Sequence, residues 1–170
     1  MFRGFSFAHM DHTLLLTEAI RHLEEGRKRI HRCAGLLGEE GLWHRPNARV
    51  VSPGNLVLHL CGNVGQWIIA TLGKRPDHRQ RQQEFAEPGP IATPELLAKL
   101  DGTISEAVAV LKGLSAADLE ATWDVQIYKE TGVAIVVHVV EHFSYHVGQI
   151  TLHTKLFRGV DTGYYAGQAL

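Results

Sequence analysis

Three histidines recur at successive helical turns in the stretch His138-Val-Val-Glu-His142-Phe-Ser-Tyr-His146-Val-Gly-Gln149. On an α-helix, residues four apart share a face, offset by roughly 40° around the axis and about 6 Å along it. Imidazole is the commonest side-chain ligand for a transition metal, so His142 and His146 form a pair that reaches one ion. His138 stands one turn further back, and Gln149 and His153 continue the stripe. Phe143 occupies the place where zinc proteases of the two-histidine helical type carry their glutamate, which argues against that reaction. A histidine pair on a helix also reads as two ordinary half-buried polar residues. A third ligand from elsewhere in the chain separates the two readings.

The elements that must position these residues read as helices. The histidine stretch lies in an apolar run from Thr131 to about Arg158, closed near Gly159, with Val133, Val136, Val140, Phe143, Val147 and Ile150 on one face. A second helix opens at Ser52, a good N-cap, with Pro53 at the first helical position, and runs to about Leu72 before Gly73. Asn55, His59, Asn63 and Gln66 give it one polar stripe, and buried polar groups without partners cost on the order of 1–3 kcal/mol each. The stripe therefore faces a partner inside the bundle. Gly62 and Gly65 weaken this helix, which fits close approach of a neighbouring helix. Another helix spans about Ala8 to Leu37, ended by Gly38, and a further one is capped by Thr93, with Pro94 at its first position, and runs through Leu111. Glu39 to Val51 reads as a loop. Lys74 to Pro90 reads as a solvated surface connection whose Arg75, Arg79 and Arg81 are available to an anion. Between Gly113 and Glu130 the helical pattern lapses, and Trp123 to Tyr128 alternates over too few residues to support a sheet. Four helices of this kind make an all-α bundle in a single domain over residues 1–170, and bundles build metal sites from side chains on facing helices.

The totals narrow the function. A formal net charge of −1 gives no electrostatic footprint for nucleic acid or an acidic membrane surface. No apolar run is long enough to span a bilayer, and the N-terminal stretch has no signal-peptide pattern. Cys33 and Cys61 are far apart in sequence, which fits a reducing compartment, so a cytoplasmic protein is expected. Eleven histidines are the one compositional excess.

The fourth-helix pattern from His138 to Gln149 resembles the terminal-helix signature of the DinB/YfiT-like metalloenzyme superfamily. Asn55-Leu-Val-Leu-His59-Leu-Cys-Gly-Asn63 resembles that family's second-helix motif, and Arg79-Gln-Arg81-Gln-Gln-Glu84-Phe85 resembles the connection after it in one branch. The resemblance implies a DinB/YfiT-like four-helix bundle, often dimeric, with a three-histidine site for nickel or zinc. Carried over by position, the ligands are His59, His142 and His146, with His138 outside the set. Three imidazoles leave open positions on a divalent ion, the layout of a catalytic site. Such an ion lowers the pKa of bound water toward ~7 or holds a thiol as thiolate. The resemblance implies a thiol-dependent transferase or a hydrolase acting on a small molecule, with a low-molecular-weight thiol as cosubstrate. The alternative is a non-catalytic metal- or ligand-binding dimeric bundle. Asn63, Gln149 and His138 are candidates for orienting imidazoles or contacting substrate, and Trp67 is either a pocket wall or core. Glu141 points roughly 100° from His142, which leaves no general base beside the ligands and favours thiol activation over hydrolysis. Cys61 reads as a small buried residue.

Overall fold

The computed structural model describes residues 12–167. Four long helices carry the architecture: α1 (His12–Trp43), α2 (Pro53–Val64), α4 (Thr93–Gly113) and α6 (Gly132–Arg158). Two short helices, α3 (Arg81–Ala86) and α5 (Ala116–Glu120), and one hairpin, β1 (Thr122–Val125) with β2 (Tyr128–Thr131), fill the connections. The helices bury their apolar stripes in one core, where Leu23, Leu60, Leu100, Ile104, Ile135 and Phe143 are almost wholly inaccessible. α1 and α6 run side by side in the same direction, Gly26 against Phe143 and Gly41 against Phe157. α2 runs antiparallel to α6, which sets His59 opposite His142 and Asn63 opposite His138.

The helix ends follow from local chemistry. Ser52 and Asn55 form a reciprocal capping box at the start of α2, with Pro53 at the first helical position. Thr131 caps α6 by accepting from the Ala134 N–H, and Gly159 ends it in the left-handed conformation at φ 66°. Past Val64 the second helix continues as a π-helix over Gly65–Leu72, closed by i→i−5 bonds such as Gly73 N–H to Ile68 C=O.

Several expectations are corrected. Gly38 breaks α1 at φ 64°, but the chain resumes helically to Trp43, so the loop begins at His44 rather than Glu39. The expected start at Ala8 lies outside the described residues. Ala92, not Thr93, holds the cap position of α4, and Thr93 is its first residue. The lapse after Gly113 contains a true antiparallel pair in register Thr122↔Thr131 to Val125↔Tyr128. On α6 the core face is Ile135, Val136, Val139, Phe143, Val147 and Ile150, while Val133 is exposed and Val140 half-buried. The difference is a rotation of the buried stripe toward the residues that meet α1.

Candidate metal centre

His59 from α2 and His142 and His146 from α6 converge, with one potential ligand atom of each lying within 4.8 Å of the others. The Nε2 atoms of His59 and His142 are 2.9 Å apart. Two nitrogens ligating one ion at about 2.0–2.1 Å sit about 2.9–3.4 Å apart, so this pair fits a single divalent ion. The far nitrogens of His59 and His146 are already engaged. His146 Nδ1 lies 2.7 Å from Gln149 Oε1, a carbonyl that accepts, so this ring presents Nε2 to the cluster. His59 Nδ1 lies 2.8 Å from Glu84 Oε2. A ring whose outer nitrogen is held by an acceptor is the usual arrangement of a metal-ligating histidine.

The electrostatics keep the two α6 imidazoles of the cluster neutral. Burial first, then the neighbouring imidazoles and the Arg79 guanidinium, push His142 down to about 3. Burial also lowers His146, partly opposed by the bond to Gln149. Both are uncharged at neutral pH, the form in which imidazole donates to a metal.

His138 does not join the three. Its ring lies against Trp67 and is stacked on His142 with centroids 5.5 Å apart, and its Nε2 is 3.5 Å from Asn63 Nδ2. It faces instead a cavity of about 360 Å³ beside the cluster, lined by His59, Asn63, Trp67, Tyr128, His138 and His142, among others. Trp67 is therefore both buried and a pocket wall. Arg79, Arg81 and Glu130 bring charges of both signs to this cavity. Two buried polar atoms of its lining residues, Asn63 Oδ1 and Trp67 Nε1, have no partner among the described residues. Cys61 is buried on another face, and burial pushes its thiol up to about 11.

Glu84 and Arg79, which the sequence places in a solvated connection, also belong to the site. The connection expected to be solvated instead folds onto the cluster, leaving the side chains of Arg79 and Glu84 only 5% and 10% exposed. Arg79 Nε donates to Glu84 Oε1 at 2.8 Å and Arg79 Nη2 to Oε2 at 3.1 Å, a bidentate pair. Burial works against the Glu84 carboxylate, but its bonds from His59 and Arg79 and the Arg79 charge outweigh it and hold its pKa below the ordinary value. The polar stripe of the second helix finds its partners here: Asn55 on the carbonyls of Glu84 and Glu87, and Gln66 on Asp77, Arg79 and Gln126. The one available signal was the motif Arg79-Gln-Arg81-Gln-Gln-Glu84-Phe85 itself.

Over residues 11–164 the chain matches the model of a family described as "Protein of unknown function (DUF1572)". Among solved structures it is similar to a DinB-like protein, YjoA, of Bacillus subtilis, at 17% sequence identity and a TM-score of 0.63. That match covers 82% of this chain and 91% of that one. At this identity the likeness carries the fold, a DinB-like helical bundle. No curated protein matches.

Proposed function

The chain belongs to the DUF1572 family of DinB-like proteins, and from that premise we propose that it is a metal-dependent enzyme with His59, His142 and His146 as ligands to one divalent ion, nickel or zinc. The observation that carries this reading is the convergence of three imidazoles whose ligand atoms lie within 4.8 Å of one another. Where bound, such an ion supplies a Lewis acid that activates water or holds a thiol as thiolate. The chain's own residues do the rest. Glu84 and Gln149 hold the outer nitrogens of His59 and His146. The cavity beside His142 binds the small-molecule substrate, with Asn63, Trp67 and His138 against it. Unpartnered buried atoms cost about 1–3 kcal/mol each, an expense that a ligand offering a partner removes.

We favour transfer to or from a low-molecular-weight thiol over hydrolysis. Glu84 is committed to His59 and Arg79, so it is not free to serve as a general base. Two unpaired cysteines suit the reducing cytoplasm we assign, and among the described residues no helix is long and apolar enough to cross a membrane. We also take the working form to be a homodimer built on the outer face of α6.

The test is the metal content of protein purified without an affinity tag, wild type beside His142→Ala. The expected result is about one nickel or zinc per chain, lost in the variant. Absence of metal in both, with no uptake on addition, overturns the reading. Metal without turnover of any thiol, ester or amide substrate reduces it to a binding protein.

A further inference from the structure

A side chain at position 62 would have to displace a carboxylate. A Cβ built on Gly62 overlaps Glu84 Oε1 and falls 3.0 Å from Arg79 Nε. The helix glycine is an aperture through which the Glu84–Arg79 pair reaches the inner face of α2, one turn from His59. The close neighbour that Gly62 accommodates is a side chain, not a helix.

The short helix α3 that carries Glu84 is itself pinned from α2 and from the loop before it. Asn55 Nδ2 donates to the carbonyls of Glu84 at 3.0 Å and Glu87 at 2.9 Å. Arg45 Nη2 donates to the carbonyls of Phe85 and Glu87, each at 3.1 Å. These bonds satisfy the last carbonyls of α3 and fix its orientation. The Phe85 ring then packs against His59, centroids 4.7 Å apart. Helix, clamp and aperture all serve to put one carboxylate oxygen 2.8 Å from His59 Nδ1.

We propose that Glu84 is a positioning residue that fixes the tautomer of His59, holding the proton on Nδ1 so that Nε2 presents its lone pair to the cluster. A carboxylate ion-paired on both oxygens offers only acceptors, so the nitrogen facing it carries the hydrogen. Arg79 Nη2 lies 3.2 Å from the same Nδ1, farther than the carboxylate oxygen at 2.8 Å, and that nitrogen also donates to Glu84 Oε2 at 3.1 Å. With Nδ1 occupied, the nitrogen left to ligate is Nε2, the atom 2.9 Å from His142 Nε2. Arg79 keeps the carboxylate ionised and aligned, and Gly62 keeps the space for it. This inference rests on His59 being a metal ligand only for its consequence, not for its geometry.

Two measurements on the full chain test it. Long-range proton–nitrogen NMR of the metal-free protein reads the tautomer directly. His59 is expected with the hydrogen on Nδ1 in wild type and to lose that single tautomer in Glu84→Gln, which offers an amide where the acceptor was. A wild-type His59 protonated on Nε2 overturns the proposal. Competition against a chelator then reads zinc affinity, which removal of such a partner lowers about 10–100-fold. Glu84→Gln is expected to weaken zinc binding by that factor with helical content unchanged, and Gly62→Ala, which displaces Glu84 without removing it, to do the same. Unchanged affinity in both variants overturns the proposal. If wild type binds no zinc, the functional reading fails and the NMR result alone decides the role of Glu84.

Discussion

The indole of Trp67 lies across the imidazole of His138, ring centroids 4.0 Å apart and planes inclined by 31°. That contact separates three histidines which the helical period makes equivalent. His142 and His146 turn toward His59, whereas His138 is held between Trp67 and Asn63 at the cavity wall. His138→Ala is therefore expected to keep about one metal per chain, while His59→Ala and His146→Ala lose most of theirs. His153→Ala and His78→Ala, outside the cluster, keep it. Metal analysis of the five variants decides, and loss of metal in His138→Ala would mean the fourth helix uses a different pair.

Acid should unfold the metal-free protein early. Burial is the leading cause that lowers His138, His142 and His146 below the ordinary histidine value of 6.5, His142 to about 3. Below pH 6.5 the unfolded chain gains protons that the folded chain refuses, so the stability present above that pH is lost as pH falls toward 3. Glu84, also lowered in the fold, adds a loss of the same sign beginning near 4.5. Thermal midpoints of chelated protein should hold from pH 7.5 to about 6.5 and then fall toward pH 5, with a shallower fall in His142→Gln. A flat or rising midpoint contradicts neutral imidazoles on α6.

The parts of this molecule written in long periodic runs were legible, and the parts made by short non-periodic contacts were not. The apolar run around His142, the Ser52-Pro53 start of α2 and the stop at Gly159 each have a local cause that sequence displays. Arg79 and Glu84 sit in a polar stretch whose composition is the same whether it is solvated or folded inward. The stretch is buried by Asn55 and Arg45, residues far from it in the chain. The hairpin escaped for a related reason. Its turn places Gln126 at φ 55° without the glycine or asparagine that announces such a turn, and four-residue strands give little alternation to read. Convergence of three rings is a tertiary fact, and only the spacing of two of them is local.

Glycines in α1 and α6 should respond oppositely to alanine. A Cβ on Gly26 meets the buried Phe143 ring at 2.6 Å and 2.8 Å, in a core with no room to yield. Gly26→Ala is expected to cost about 1–3 kcal/mol by overpacking. At Gly148 the same Cβ meets nothing within 4 Å, so Gly148→Ala should stabilise the monomeric fold by up to about 1 kcal/mol through helix propensity. Urea unfolding of both variants checks the contrast, and destabilisation by both would show that Gly148 is covered.

Neither cysteine should react while the chain is folded. Cys33 and Cys61 are unpaired and buried, and burial raises the Cys61 thiol to about 11, so almost no thiolate forms at neutral pH. A thiol reagent at pH 7.5 should label neither in native protein and both in denaturant. Fast labelling of Cys61 in the native protein, with loss of activity, would return it to consideration as a nucleophile.

The outer face of α6 should bind a second copy of itself. Val137, Tyr145, Leu152 and Leu156 stand exposed along it, Leu156 at 77%, with open space over Gly148 where another helix can approach closely. A two-fold antiparallel crossing centred on Gly148 sets each residue opposite the one equally far on the other side. Glu141 and Lys155, seven positions before and after Gly148, then meet across the axis twice, once in each copy. That crossing thus pairs opposite charges on the two copies. Sedimentation at micromolar concentration should give a dimer mass for wild type, a shift toward monomer for Glu141→Lys and for Lys155→Glu, and a restored dimer when the two are combined. A wild-type monomer removes the assembly altogether, and a dimer indifferent to both charge reversals moves the interface off α6.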